Sequence, residues 1–235
     1  MIEFRHVFKS FHQKPVLTDC HFQMEKGESL GIMGESGSGK TTLARLIIGL
    51  EQPTAGQVLF HGQPYSVKAF GPQILLVFQD ALRSVNPLFT IQEILTEALS
   101  KDFALEEVVQ ILAAVGLDAA YLGKKARELS GGQLQRVCIA RALLLRPEVI
   151  IFDEALSGLD PITQVQLLDL LYELKQAYQL TYIFIAHNAN ICQAICDRVL
   201  LLEQGRLVAV RDKKSQTSCG DIELDNKNKS SLNIT

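Results

Sequence analysis

The feature that most constrains the fold is a glycine-rich segment at residues 34–41, with the sequence GESGSGKT. It follows a short apolar run at residues 30–33 and precedes a stretch of helical pattern at residues 42–50. Glycine N–H groups can curl around a phosphate with no side chain in the way, and the start of the following helix adds positive potential. This strand–loop–helix context predicts a phosphate-binding loop, rather than a glycine-rich turn that carries a lysine by chance.

The residue types in this loop predict separate roles toward a nucleotide. Lys40 is expected to reach the β- and γ-phosphates, and the Thr41 hydroxyl is expected to bind Mg²⁺. The residues predicted to contact the nucleotide are Gly34, Glu35, Ser36, Gly37, Ser38, Gly39, Lys40, Thr41 and Thr42.

The pattern of the whole chain predicts an α/β fold. Short apolar runs at residues 29–33, 74–78, 149–152, 181–186 and 199–202 are nearly continuous, as expected for strands of a parallel sheet that is covered on both faces. The short alternating runs of residues 2–63 predict an additional antiparallel β layer. Helical spacing is seen at residues 133–145 and after Asp160-Pro161, and residues 91–127 look like a helical insertion.

A second functional signal is the acidic pair Asp153-Glu154, which ends the apolar run of residues 149–152. Adjacent carboxylates repel each other, and burial penalises both charges, so a cation is a better explanation than packing. Alone, the pair could equally be a solvated turn. Combined with a phosphate loop, it predicts that Asp153 binds Mg²⁺ and that Glu154 acts as a base toward the attacking water.

A third signal is the segment Ser130, Gly131, Gly132 and Gln133, directly before a helical pattern. Taken alone, it is most simply a serine-capped helix that follows a loop. Two glycines and a serine at a helix start also form an anion site. One nucleotide needs only one phosphate cradle, so a second cradle indicates a site that another subunit completes.

Composition excludes some functions and sets the limits of the folded region. The net charge of −3 gives no basic excess that would make nucleic acid the default partner, and no apolar stretch has the length of a membrane span. The five cysteines are odd in number and form no CxxC pair, which indicates a reducing compartment. Residues 212–235 are rich in Lys, Asp, Asn and Ser, and are expected to be a disordered tail.

Together, these motifs resemble the ATP-binding subunits of ATP-binding cassette (ABC) transporters, and the resemblance covers residues 2–211. Gln79 matches the family glutamine that touches Mg²⁺ and the attacking water. His187 matches the switch histidine at the γ-phosphate, and residues 157–160 match the loop that crosses the dimer interface. Phe11 is placed like the aromatic residue that stacks on adenine, although a simple core role fits it equally well.

The resemblance implies a mechanism and a set of partners. Two ATP-binding subunits, alike or different, sandwich ATP and Mg²⁺ between the phosphate loop of one and residues 130–133 of the other. They act with two integral membrane permease subunits and an extracytoplasmic substrate-binding protein, at the cytoplasmic face of the membrane. The implied catalytic residues are Glu154, His187, Gln79 and Lys40, and the implied metal ligands are Thr41, Gln79 and Asp153. The implied fold is an ABC ATPase domain at residues 1–211, with a helical subdomain at about 85–145.

The details of the motifs are similar to the dipeptide, oligopeptide and nickel importer branch, in particular to its second ATPase subunit. The loop sequence and the segment from Gln79 to Ile91 carry this similarity. Ala155 stands where that branch usually has proline, and its C-terminal His-Pro-Tyr-Thr segment is missing, so nickel and oligopeptides both stay open as cargo. The alternatives are the ATPase of another importer or an exporter, a catalytically silent regulatory partner, and a soluble ABC ATPase that acts on DNA or ribosomes.

Overall fold

Two β-sheets form the framework of the computed structural model, which describes residues 1–78, 80–99, 103–156, 158–187 and 189–212. The strands are β1 (Ile2–Phe11), β2 (Lys14–Met24), β3 (Ser29–Met33), β4 (Ala55–Phe60), β5 (Gln63–Pro64), β6 (Ile74–Phe78), β7 (Val149–Asp153), β8 (Thr181–Ile185), β9 (Arg198–Glu203) and β10 (Arg206–Asp212). The helices are α1 (Lys40–Ile47), α2 (Val67–Phe70), α3 (Ile91–Thr96), α4 (Leu105–Ala114), α5 (Gly131–Leu144), α6 (Pro161–Tyr178) and α7 (Ala189–Ile195).

The first sheet is antiparallel and has the order β2-β1-β4-β5. A tight turn at His12 and Gln13 joins β1 to β2, and both residues have left-handed backbone angles, with φ of 47° and 65°. On the buried face of the sheet, the rings of Phe4 and Phe22 stack with centroids 4.6 Å apart. The antiparallel N-terminal layer expected from the sequence is therefore confirmed.

The second sheet has the order β10-β9-β3-β8-β7-β6. β9, β3, β8, β7 and β6 are parallel, and β10 pairs with β9 in the antiparallel sense. All five apolar runs of the sequence form strands of this sheet, as predicted. The carboxyl ends of parallel strands share one edge, which is where open α/β sheets bind ligands. The segments that follow β3, β7 and β8 therefore lie at the same edge.

The parallel sheet is buried on both faces, because successive residues of its strands point to opposite sides. Phe152 and Phe184 stack with centroids 4.9 Å apart on the face that packs against α5 and α6. Ile151 and Ile183 point to the other face, where α1 and the antiparallel sheet cover them. This arrangement explains why β7 and β8 lack the polar alternation of a half-exposed strand.

Between β6 and β7, the described residues form helices and turns. A short 3₁₀ turn at Leu82–Ser84 precedes α3, and two more, at Ala119–Tyr121 and Ala126–Glu128, lie between α4 and α5. One isolated β-bridge joins Thr90 to Lys125. The apolar residues of the three helices pack together and against the sheet. Among the described residues, no helix combines the length and the hydropathy that a bilayer-spanning segment needs.

The helix boundaries follow from their caps. Asp160 caps α6 by accepting a hydrogen bond from the Thr163 N–H, and Pro161 is the first helical residue, as predicted. The helix predicted at residues 133–145 begins two residues earlier and ends one residue earlier. It starts at Gly131 because Ser130 caps it, and the low helix propensity of the two glycines had hidden this first turn.

Some predicted features lie outside the described residues. These are Gln79, Ser157 and residues 213–235, which include most of the predicted tail. β10 ends at Asp212, the residue at which that tail was predicted to begin.

Candidate active site

The glycine-rich loop joins the end of β3 to the start of α1. Gly39 precedes α1 with a left-handed φ of 107°, and no side chain caps the helix, so its first N–H groups are available to an anion. Gly34 cannot carry a side chain, because a Cβ there would lie 2.4 Å from the Leu202 carbonyl oxygen. The Ser38 hydroxyl is buried in the loop and has no hydrogen-bond partner. These features fit an anion cradle.

Lys40 is held within this loop. Its ammonium donates hydrogen bonds to the carbonyl oxygens of Gly34 and Glu35, both at 2.8 Å, and the residue is only 7% exposed. A buried lysine in contact with the loop backbone places positive charge beside the helix start. The helix begins at Lys40 itself, so Lys40, Thr41 and Thr42 all belong to its first turn, two residues before the predicted start.

Asp153 and Glu154 lie at the same edge of the sheet, at the end of β7. Burial, and secondly the negative charge of Glu154, raise the pKa of the Asp153 carboxyl, while the nearby Lys40 and Arg45 act in the opposite direction. A carboxyl group whose charged form is disfavoured in this way is stabilised by a cation. Thr41 and Asp153 line one cleft of about 460 Å³, and a hydroxyl with a carboxylate is a donor set that suits Mg²⁺.

Glu154 and His187 come together from two different strands. The Glu154 N–H donates to the Ile185 carbonyl oxygen at 2.9 Å, and Glu154 has a left-handed φ of 52°. This backbone bond ties the segment after β7 to the end of β8. His187 Nδ1 lies 3.5 Å from Glu154 Oε1, and the His187 side chain is 59% exposed. A carboxylate beside an exposed imidazole can handle a proton. Of the two residues, Glu154 lines the cleft beside Thr41, and both line a neighbouring cavity.

The segment at residues 130–133 is a capping box at the start of α5. The Ser130 hydroxyl accepts from the Gln133 N–H at 3.3 Å, and Gln133 Oε1 accepts from the Ser130 N–H at 3.0 Å. The Gln133 amide also donates to the Tyr121 hydroxyl at 3.0 Å. Of the described residues that line the cleft beside Thr41, none comes from this segment. This segment therefore stands at the start of α5 and does not line the cleft beside Thr41.

Phe11 lies at the end of β1, where 36% of its surface is exposed. The hairpin that carries it packs against the phosphate loop. A Cβ at Gly39 would lie 3.0 Å from Leu17 Cδ2 and 3.2 Å from the Val16 carbonyl oxygen. Phe11 therefore belongs to the hairpin that contacts the loop, and its ring is exposed enough to receive a flat ligand group.

Three residues of the site were not predicted as site residues from the sequence. Phe78 and Arg83 line the cleft beside Thr41, and Tyr121 holds the Gln133 side chain. Arg83 is in turn held by Asp80, through an Nε–Oδ2 contact of 3.0 Å. Phe78 was predicted only as the end of a strand. Arg83 and Tyr121 belong to no spacing pattern, and the path of the chain between β6 and α5 brings them to the site.

Comparisons with known proteins agree with this geometry. Residues 17–157 match the family model described as ABC transporter. The chain is 40% identical to the nickel import ATP-binding protein NikE of Shigella dysenteriae, over 93% of this chain and 88% of that protein. It is 41% identical to the metal-staphylopine import system ATP-binding protein CntF of Staphylococcus aureus, over 86% of this chain and 84% of that protein.

Two solved structures share the fold. The first is cbiO1 from Clostridium perfringens, part of the ABC transporter complex cbiONQ. It matches with a TM-score of 0.83 and 26% identity, over 92% of this chain and 90% of the other. The second is the dimeric ATP-binding cassette MJ0796, bound to ADP and Pi after hydrolysis. It matches with a TM-score of 0.74 and 26% identity, over 88% of this chain and 96% of the other. The chain therefore belongs to the ABC transporter family, and it is one of the family's ATP-binding and ATP-hydrolysing subunits.

Proposed function

We propose that this chain pairs with a second ATP-binding subunit and hydrolyses ATP at their shared interface, which drives the import of nickel or a nickel chelate. The observation that carries the proposal is the division of the site. Thr41 of the phosphate loop and the acidic pair line one cleft, whereas residues 130–133, which we propose as a second anion cradle, stand at the start of a different helix, α5. The missing half of each site is supplied by the other subunit, which is either a second copy or a different chain.

The phosphate loop and Lys40 bind the triphosphate. The N–H groups at the start of α1 and the Lys40 ammonium supply fixed positive charge, and no groups have to reorganise when the γ-phosphate leaves. Thr41 and Asp153 would hold Mg²⁺, together with Gln79 as the ligand that the family resemblance implies. Bound Mg²⁺ neutralises charge on the β- and γ-phosphate oxygens. The exposed ring of Phe11 receives the adenine.

Glu154 is the base that orients the attacking water and accepts its proton. The Glu154 N–H bond to Ile185 fixes the position of the residue at the mouth of the cleft. His187 is in contact with Glu154 Oε1, so it can orient the carboxylate and respond to the γ-phosphate. The reaction relies on positioning and electrostatics, and no covalent intermediate with the protein is required.

The proposed partners follow from the division of each ATP site between two subunits. The chain acts as a peripheral subunit at the cytoplasmic face of the membrane, with two permease subunits and an extracytoplasmic substrate-binding protein. Phe78, Leu82 and Leu88 are exposed apolar residues on the segment between the end of β6 and α3, with exposures of 51%, 48% and 62%. Phe78 also lines the cleft beside Thr41, and this segment is where we place the permease contact. ATP binding at the interface then shifts the subunit pair from an open to a closed state, and the permeases respond to that shift.

The cargo is proposed from the relatives, whose names specify nickel and a metal–staphylopine complex. Uptake of radioactive nickel in cells that lack this chain tests it directly, with a labelled oligopeptide as the control cargo. Wild-type chain should restore nickel uptake, and Glu154→Gln should not. Loss of peptide uptake with unchanged nickel uptake would contradict the cargo but leave the ATPase assignment standing. A pulldown from membranes should recover two permeases and a second cassette subunit, whereas ribosomes or DNA-repair factors would contradict the transporter assignment.

A further inference from the structure

Lys9 is a buried lysine that the proposed mechanism does not use. It lies on β1, and only 9% of its surface is exposed. Its ammonium donates to Glu51 Oε2 and to the Gln52 carbonyl oxygen, both at 2.8 Å. Burial of an ammonium group is costly unless its charge and its N–H groups are satisfied, so the side chain is fixed by these two acceptors.

The same ammonium lies over the ring of Phe11, 4.7 Å from its centroid. The two residues are two positions apart on β1, and this contact places their side chains on the same side of the strand. A cation over an aromatic face is attracted by the ring quadrupole, and this attraction increases when water is excluded. One face of the Phe11 ring is thus held by Lys9, and a stacking ligand is left with the opposite face.

The anchors of Lys9 connect this ring to the phosphate loop. Glu51 lies shortly after α1, the helix that begins at Lys40. Its N–H donates to the Arg45 carbonyl oxygen at 3.1 Å, so the segment is bound to the last turn of α1. On the other side of the hairpin, Val16 packs against Gly39 of the loop. The ring of Phe11 is therefore linked through Lys9 and Glu51 to the last turn of α1, and through its hairpin to Gly39 of the phosphate loop.

We infer that Lys9 is a positioning residue for the nucleotide base. It holds the Phe11 ring at the height and angle that suit adenine while the triphosphate lies in the loop. This inference rests on the proposed stacking role of Phe11. A purely structural Lys9, which only ties β1 to α1, would affect phosphate binding and base binding alike. A positioning Lys9 affects only the binding of ligands that carry a base.

The test compares Lys9→Met, Phe11→Ala and the double variant in the full chain. Calorimetry measures the Kd for Mg-ATP and, as a ligand without a base, for inorganic tripolyphosphate. Lys9→Met should weaken ATP binding by about three- to tenfold, and should change tripolyphosphate binding by less than about twofold. Added to Phe11→Ala, it should cause no further loss, because the ring it positions is gone. Lys9→Arg, which keeps a cation over the ring, should restore most of the ATP affinity.

Thermal melts establish that each variant is folded. Lys9→Gln keeps a donor for the Gln52 carbonyl oxygen without the charge, so it replaces Lys9→Met if that variant unfolds. Equal losses of affinity for ATP and tripolyphosphate would overturn the inference and show that Lys9 only holds β1 against the segment after α1. An undiminished loss in the Phe11→Ala background, or unchanged ATP binding in the single variant, would also overturn it. If Phe11→Ala itself binds ATP normally, the stacking assignment fails together with the role of Lys9, and the phosphate-site assignments remain.

Discussion

Replacing Glu154 with glutamine should separate ATP binding from ATP hydrolysis. The substitution keeps the size of the side chain and the N–H bond to Ile185, so the segment after β7 should keep its shape. What is lost is the ability to accept a proton. A positioned general base contributes about 10²–10⁴ in rate, so the barrier should rise by about 3–5 kcal/mol.

Nucleotide binding should survive the same change. The negative charge of Glu154 is one of the causes that raise the pKa of the Asp153 carboxyl. Removing this charge makes the ionised form of Asp153 easier to maintain next to Mg²⁺. It also removes repulsion toward the triphosphate. ATP should therefore bind at least as tightly as in the wild-type chain, and the nucleotide-loaded pair of subunits should accumulate in the closed state.

Glu148→Gln is a matched control for this experiment. Glu148 directly precedes β7, the strand that Glu154 follows, and its side chain is 31% exposed, against 30% for Glu154. It faces His61, at 3.1 Å, and such a partly exposed pair contributes under about 1 kcal/mol. Phosphate release is measured at saturating Mg-ATP in the assembled transporter. The Glu148→Gln control should release phosphate at the wild-type rate, and Glu154→Gln should release it at least about a hundredfold more slowly. Near-normal turnover of Glu154→Gln would refute the base assignment.

Two further substitutions test the two cradles. Gly34→Ala places a Cβ against the Leu202 carbonyl, so it should cost about 1–3 kcal/mol in thermal unfolding and abolish ATP binding. Gly123→Ala, where a Cβ meets nothing within 4 Å, is its control; equal behaviour of the two would contradict the steric argument. Ser130→Ala should cost about 1 kcal/mol through the lost cap. It should also weaken the ATP-dependent pairing of Glu154→Gln subunits in size-exclusion chromatography. Unchanged pairing would contradict the assignment of Ser130 to the subunit interface.

Much of the fold could be predicted because the strands of a doubly covered sheet need continuous apolar runs. The run at residues 74–78 coincides with β6, and the run predicted at residues 181–186 extends only one residue beyond β8. The start of α1 was harder to predict from the sequence, since its first turn directly follows a loop whose glycines favour no regular structure. Periodicity locates an element, whereas its ends depend on capping contacts that periodicity does not contain.

The site was predictable only where chemistry is concentrated in neighbouring residues. The phosphate loop and the pair Asp153-Glu154 each form one continuous segment, so the sequence could point to the loop directly and to the acidic pair in combination with the loop. The contact between Lys9 and the residues after α1 joins positions that are far apart in the chain. No local pattern encodes it, because it depends on how β1 packs beside α1. The same holds for the Tyr121 hydroxyl that receives the Gln133 amide.

Because the two proposed cradles belong to different helices, a substitution in one of them should affect a different bound nucleotide from a substitution in the other. Each cradle is a helix start, α1 in one case and α5 in the other, and each attracts anions through its N–H groups. Among the described residues, the acidic pair lines the same cleft as Thr41 in the first turn of α1. In the proposed pair of subunits, a chain therefore hydrolyses the ATP held by its own loop, and grips the ATP of its partner through Ser130. A defect at Glu154 acts on the chain's own nucleotide, whereas a defect at Ser130 acts on the nucleotide of the other subunit.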